Sequence, residues 1–265
     1  MRRILRAYPT FLRVGFAEAV AYRAELIVWM LTTTMPLVML ALWTAAAREA
    51  PFGRFGENEF VAYYLAALVV RTVTTSWVVW QMNEEIRLGT LSMRLLRPVH
   101  PFVAYSAEHL AAIPLRSLIA MPVAVILLAT VGKGHLAHDP VVIAAIPVVL
   151  VLAWLITFLA GTAMGSLAMI TKRSVGVWEV WIGLFAVMSG YLVPLELLPR
   201  WLSVLADFLP FRYMLGFPVE VIIGMADRAA TFRGLEAQAT MCAALLVVTA
   251  VTWRAGLKRF EAYGA

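Results

Sequence analysis

The sequence alternates long apolar runs with short charged segments, and the length of these runs is the strongest constraint on the fold. About twenty consecutive apolar residues form a helix long enough to cross the hydrocarbon core of a bilayer. Only 14% of the residues are charged, whereas a soluble domain has about 25%. The chain is therefore predicted to be an all-α polytopic membrane protein, because the strands of a membrane barrel would give short alternating segments instead.

Six apolar runs are long enough to be transmembrane helices. The predicted spans are residues 26–47, 60–81, 110–131, 141–170, 176–193 and 237–253. Residues 1–24 mix arginine with large apolar side chains, which is typical of an amphipathic helix at the membrane interface. Residues 194–224 are apolar but interrupted by proline and glycine, so broken external re-entrant helices are expected between spans five and six. All of these segments form a single transmembrane domain, residues 1–265.

The distribution of basic residues predicts the orientation of the chain. With six spans, the N-terminal segment, residues 82–101, the pair Lys172-Arg173 and the C-terminal tail fall on one side. Cytoplasmic loops are enriched in Lys and Arg, so both termini are predicted to be cytoplasmic and the protein to lie in the inner membrane. The same basic residues explain the net charge of +6. We expect them to contact anionic lipid headgroups, and no nucleic acid is expected as a partner.

Residues 82–101 form a charged island between the second and third predicted spans. On one continuous helix, Leu88, Leu91 and Leu95 would share an apolar stripe. The two glutamates before them would stand at the N-terminal end of that helix, where negative charge favours the helix dipole. Two interpretations stay open: a solvated loop that only anchors the topology, or a rigid lever that contacts a soluble partner.

Two motifs resemble those of a known family. Residues 85–91 read Glu-Ile-Arg-Leu-Gly-Thr-Leu and resemble the acidic-x-x-x-Gly-Thr-Leu coupling segment of type-2 ATP-binding-cassette (ABC) exporter permeases. Residues 189–194 read Ser-Gly-Tyr-Leu-Val-Pro and resemble the segment that precedes the broken external helices of that family. The order of the motifs matches over nearly the whole chain. Ser92 departs from the pattern, since many members carry an acidic residue after Gly-Thr-Leu.

The resemblance implies the transmembrane permease subunit of an exporter whose ATP is hydrolysed by separate ATPase subunits. ATP and Mg²⁺ would bind to those partners, so no cofactor, metal or catalytic residue is expected in this chain. A second permease subunit, identical or similar, and membrane lipids are the other expected partners. The residues assigned to the ATPase contact are Glu84, Glu85, Arg87, Leu88, Gly89, Thr90, Leu91, Arg94 and Leu95. Those assigned to the re-entrant segment are Gly190, Pro194, Glu196, Pro199 and Pro210.

Arg71 lies near the middle of the second predicted span. An arginine at this depth costs roughly 2.5–3.5 kcal/mol on insertion scales, so we expect its guanidinium to face protein or water. It is either a contact for substrate or gating, or a structural pair with Glu179 of the fifth span or with backbone carbonyls. In the fourth span, Gly161 and Gly165 allow close helix approach, either within the chain or between subunits.

Two other classes of function stay open. A secondary transporter would carry inverted repeats and ionisable residues near the midplane in both halves, and only Arg71 clearly fits that pattern. A membrane-embedded lipid-modifying enzyme would need clustered His, Asp or Cys at one membrane face, but the single cysteine, Cys242, lies inside an apolar run. His135 and His138 stand in a short turn, where a plain polar role is expected rather than a metal site.

Overall fold

The computed structural model describes residues 2–22, 34–130, 133–171 and 174–260. These residues form an all-helical protein. The α-helices are α1 (Arg2–Ala21), α2 (Met35–Glu49), α3 (Glu57–Thr74), α4 (Val78–Arg87), α5 (Leu91–Leu95), α6 (Pro101–Ala111), α7 (Ile113–Thr130), α8 (Pro140–Ser166), α9 (Ser174–Met188), α10 (Arg200–Asp207), α11 (Pro210–Met214), α12 (Gly216–Ile222) and α13 (Arg228–Leu257). Short 3₁₀ turns lie at Lys133–His135, Leu167–Met169 and Leu195–Leu197.

Several helices are suited to crossing a membrane. Within the described ranges, Glu57–Arg87, Pro140–Met169 and Arg228–Leu257 are long and apolar enough, and Pro101–Leu118 with Met121–Thr130 would form a fourth span bent by 59°. The prediction of an all-α polytopic membrane protein is therefore confirmed at this level, and the count of six spans stays a prediction. Residues 26–33 of the first predicted span lie outside the described residues, as do Lys172 and Arg173.

The long helices pack around α8. α8 lies along α13 and also contacts α3, α4 and α12, while α3 packs between α2 and α7. The amphipathic α1 packs on α6, where a Cβ at Gly15 would lie 2.9 Å from the Cα of Glu108. This close approach fixes the N-terminal helix beside the charged island.

Helix α3 begins with buried aromatic residues that hold the segment after α9. The Tyr63 hydroxyl donates to the carbonyl oxygen of Gly190 at 2.8 Å, and the Tyr64 hydroxyl donates to that of Leu192 at 2.8 Å. Gly190 has a φ of +84°, a left-handed conformation that favours glycine. Buried carbonyl groups need such partners, so these bonds attach the irregular backbone firmly to α3.

Helices α3 and α4 belong to one span that is interrupted at residues 75–77. The Thr75 hydroxyl donates to the carbonyl oxygen of Arg71 at 2.7 Å, a bond that competes with the backbone ladder and bends helices. The second predicted span, residues 60–81, lies within these two helices. The polar residues that follow are good helix formers, so the helix continues to Arg87.

The two glycines of α8 face α4 across a close helix contact. A Cβ at Gly161 would lie 2.7 Å from Cγ1 of Val78, and one at Gly165 would lie 2.9 Å from Sδ of Met82. Neither position has room for a side chain, so the backbones of the two helices approach closely. The pair therefore forms a packing seam within one chain.

Candidate functional site

The island does not form one continuous helix. Helix α4 ends at Arg87, Gly89 turns the chain with a φ of +75°, and a new helix begins only at Leu91. The predicted apolar stripe was therefore wrong: Leu91 is fully buried against α4 and α6, whereas the Leu88 side chain is 60% exposed. Leu95 is half-buried against the same core. The glycine turn rotates α5 out of register with α4, which the helical spacing alone did not predict.

The glutamates of the island also lie elsewhere than predicted. Glu84 and Glu85 stand in the last turn of α4 rather than at the start of a separate helix. Glu84 is exposed, as are Arg87 and Thr90, while Glu85 is half-buried and points toward α5 and α6. Negative charge at a helix C-terminus opposes the helix dipole, so Glu85 is held there by its partners.

Three apolar side chains project from the island into solvent. Leu88, Met93 and Leu96 are 60%, 63% and 81% exposed. Large apolar side chains grouped on a polar segment outside the spans are typical of a surface that a partner covers. We name these three residues the island surface.

Arg94 joins α5 to α4 and α6 through two ion pairs. Its guanidinium lies 2.8 Å from Glu85 of α4 and 2.6 Å from Glu108 of α6. The Tyr105 hydroxyl donates to the same Glu85 carboxylate, and Arg94 lies over the Tyr105 ring at 4.4 Å. Burial lowers the pKa of Arg94, but the two carboxylates raise it by more, so the side chain stays charged.

The network continues from Glu108 to the helix break. Gln81 of α4 donates from Nε2 to Glu108 at 2.7 Å, and its Oε1 accepts from Nε2 of His109 at 3.2 Å. With that proton on Nε2, the other ring nitrogen of His109 accepts from the Ser76 hydroxyl at 3.4 Å. The His109 side chain is fully buried, so each of these bonds forms where water does not compete.

Arg116 of α7 completes the network at the break. It donates from Nη1 to the carbonyl oxygen of Thr75 at 2.8 Å and from Nη2 to that of His109 at 3.3 Å. Its guanidinium also lies 5.1 Å from the ring centroid of Trp77. A break inside a span leaves carbonyl groups without helical partners, and Arg116 satisfies one of them. The side chain is only 6% exposed.

Sequence reasoning missed this inner part of the network. Glu108, His109 and Arg116 were not among the candidate residues, although they are the titratable side chains at the start of an otherwise apolar run. That position was the available signal, since ionisable groups beside a span need partners. Apart from the bond between Arg116 and the carbonyl of His109, their partners lie 14 to 41 positions away in the chain, a separation at which helical periodicity carries no information.

Arg71 contacts aromatic residues rather than a carboxylate. Its guanidinium lies 5.0 Å from the ring centroid of Phe185 and 5.3 Å from that of Tyr191. The predicted alternative of a pair with Glu179 was wrong, because Glu179 lies exposed on another face of α9. Cation–π contacts are strongest where water is excluded, so Arg71 faces protein, as its depth requires.

The segment after α9 consists of short helices separated by prolines. Pro199 is the residue before α10, and Pro210 is the first residue of α11, where the fixed proline φ suits a helix start. Pro194 precedes a 3₁₀ turn that carries Glu196, which forms an ion pair with Arg54. The prolines therefore explain why this segment forms several short helices rather than one long helix.

The histidine turn has structural partners. His135 lies 3.7 Å from Glu59, and His138 is exposed. Asp139 caps α8 by accepting from the backbone N–H of Val141 at 2.8 Å. Across the described residues, no group of three or more His, Cys, Asp or Glu side chains could hold a metal ion.

Comparison with known families identifies a family that the chain matches. A family model described as ABC-2 family transporter protein matches residues 25–264. The match covers nearly the whole chain and confirms the resemblance drawn from the island and the segment after span five. No curated protein is similar enough to the chain to count as a match.

Proposed function

The chain belongs to the ABC-2 family of transporters, and we propose that it is the membrane subunit of an exporter driven by ATP. Family members are transmembrane subunits without an ATP site of their own, and the family implies an ABC ATPase as partner. In the proposed assembly, two ATPase subunits hold ATP and Mg²⁺. Two permease subunits, identical or similar, enclose the substrate path. The island and both termini face the cytoplasm.

One observation carries the proposal: the polar network that runs from the island to the break at residues 75–77. Arg94 binds α5 to α4 and α6 at once. A displacement of α5 therefore moves the ends of two membrane helices together. Packed networks of this kind switch between discrete arrangements rather than deforming continuously. The island thus acts as a lever and not merely as a topological anchor.

The break provides the place where this movement acts. Helical hydrogen bonding is interrupted at residues 75–77, so α3 and α4 can change their mutual angle at little cost in backbone bonds. In the proposed cycle, ATP-driven closure of the ATPases pushes α5 toward the membrane. Glu108, Gln81 and His109 pass the movement to the break, and α3 tilts against α2, α7 and α8, the helices of its own subunit that surround it. That tilt changes the side from which the substrate is reached.

The island surface is the proposed ATPase contact. Leu88, Met93 and Leu96 insert into an apolar groove of the ATPase, and the exposed Arg87 lies at its rim. Apolar anchors in a groove carry most of the binding energy at such helix contacts, while rim charges contribute less. Leu91 and Leu95, which belong to the permease core, support the surface from below.

Co-purification of the ATPase with the tagged permease tests this contact. Met93→Asp and Leu96→Asp should each reduce the recovered ATPase by about tenfold, with normal membrane insertion. Phe232→Asp, at an exposed apolar position at the start of α13, is the matched control and should leave recovery unchanged. Full recovery with both island variants, together with intact transport-linked ATP hydrolysis, would exclude coupling through the island.

A further inference from the structure

A cavity of about 560 Å³ lies between the short helices after α9 and the start of α13. Its lining comes from the loop before α3, the 3₁₀ turn after Pro194, α10, α11, α12 and α13. Phe217 and Met225 contribute apolar surface, and the remaining walls are rich in charge. A Cβ at Gly234 would lie 2.0 Å from the Phe217 ring, so the ring fits only against a residue without a side chain. The size falls within the range of ligand sites.

The charges of the cavity are divided into two unequal groups. Arg212 pairs with Asp207 and Glu220, and Arg54 pairs with Glu196. Two guanidinium groups therefore face three carboxylates, which leaves this cluster with a net charge of −1. Arg233 also lines the cavity. It is exposed and forms no ion pair with any residue that the structure describes. The cavity thus carries one surplus negative charge and one separate positive charge.

Helix α10 places this cavity beside the membrane interface. Ser203 and Asp207 line the cavity, whereas Trp201, Leu205 and the following Phe208 are exposed on the helix. Trp201 is 70% exposed and Phe208 is 74% exposed. An amphipathic helix with exposed tryptophan and phenylalanine on one side is typical of segments that lie among lipid headgroups. The polar face of such a helix meets the headgroups at the level of the cavity.

We propose that the cavity binds the headgroup of a phospholipid that carries both a phosphate and a primary ammonium group, as in phosphatidylethanolamine. Arg233 donates two hydrogen bonds to the phosphate, since its planar fork matches phosphate oxygens. The ammonium group donates to the carboxylates of Asp207 and Glu196, about half of whose side-chain surface is accessible. The acyl chains leave the cavity along the apolar side of α10. The binding site does not depend on ATP or on the coupling mechanism.

Lipid titration of the full-length protein tests the proposal. The chain is stripped of lipid in mild detergent, and binding of short-chain dihexanoyl phospholipids is counted by native mass spectrometry. Dihexanoyl phosphatidylethanolamine should bind at least about tenfold more tightly than the phosphatidylglycerol analogue, which lacks the ammonium group. Arg233→Gln should weaken its binding by about tenfold, because a charged hydrogen-bond donor is lost. Arg200→Gln, at an exposed arginine of α10 outside the cavity, is the matched control and should change binding less than about twofold.

Competition measurements and a further variant distinguish the binding of a lipid from the binding of a soluble ligand. Glycerophosphoethanolamine and inorganic phosphate should compete only weakly, since neither gains from contact with the apolar side of α10. Arg233→Lys should bind more weakly than the original protein and better than Arg233→Gln. Equal affinity for the phosphatidylglycerol analogue, equal losses from Arg200→Gln and Arg233→Gln, or full competition by inorganic phosphate would each overturn the proposal. Competition by glycerophosphoethanolamine at the affinity of the lipid would overturn its lipid part.

Discussion

Arg94 shows how one side chain can determine the position of a whole segment. Its partners Glu85 and Glu108 are only 16% and 17% exposed, so the loss of Arg94 leaves two carboxylates close together and poorly solvated. Arg94→Ala should lower the unfolding free energy of the permease by about 1–3 kcal/mol, the usual cost of unpaired buried polar groups. The thermal midpoint of the purified protein measures this effect. Arg97→Ala, an exposed arginine in the same island, is the control and should have little effect.

A second variant separates charge from packing at the same residue. Arg94→Gln combined with Glu108→Gln removes one charge of each sign, so the protein with both substitutions should be more stable than the protein with Arg94→Gln alone. Equal midpoints for the single and the double variant would mean that the ion pair with Glu108 does not hold α5 in place.

At the scale of elements, the sequence predicted what depends on composition and local periodicity. The long apolar helices α8 and α13 were predicted, because twenty apolar residues in a row allow few other structures. The short helices after α9 were predicted from their prolines. The break at residues 75–77 was not predicted, because nothing in its local sequence shows that Arg116 would satisfy the free carbonyl. The stripe of α5 was wrongly placed, since helical spacing assumes no turn at Gly89.

Gly89 is the residue on which the direction of α5 depends. Its φ of +75° lies in a region where a β-branched residue costs about 1–3 kcal/mol. Gly89→Val should therefore shift α5, lower the thermal midpoint and reduce recovery of the ATPase. The control is Gly176→Ala. Gly176→Val is less suitable, because it would test the effect of a β-branched side chain in a helix rather than the effect of φ. A Cβ there meets nothing within 4 Å, and alanine in a helix is more favourable than glycine by about 0.5–1 kcal/mol.

One outcome for the glycine variants would contradict the role given to Gly89. If Gly89→Val kept both the thermal midpoint and ATPase recovery of the original protein, α5 would not owe its position to this turn.

Leu91→Asp is measured in the same two assays, thermal midpoint and ATPase recovery. Because Leu91 is fully buried, the charge should destabilise the permease itself, and the loss of ATPase should follow from misfolding rather than from a lost contact.

At the scale of the whole molecule, the island and the charged cavity lie at opposite ends of one span. The cavity includes Arg54, just before α3 begins, and the island follows the end of α4 at Arg87. A helical span that carries polar clusters at both ends is oriented by their surroundings, and the basic end is expected in the cytoplasm. The side of the membrane on which the island lies can therefore be tested by comparing it with a loop predicted to be external.

Accessibility labelling of single cysteines tests this orientation. In a Cys242→Ser background, Arg97→Cys should react with a membrane-impermeant maleimide only after the cells are opened, whereas His138→Cys should react in intact cells. Both positions are exposed, and neither side chain takes part in the network of Arg94, so the substitutions should leave the fold unchanged. Cys242 is buried, and its replacement removes residual background. Labelling of position 97 in intact cells, with position 138 protected, would place the island outside the cell. A cytoplasmic ATPase could not reach it there, and the coupling proposed for this chain would fail with the topology.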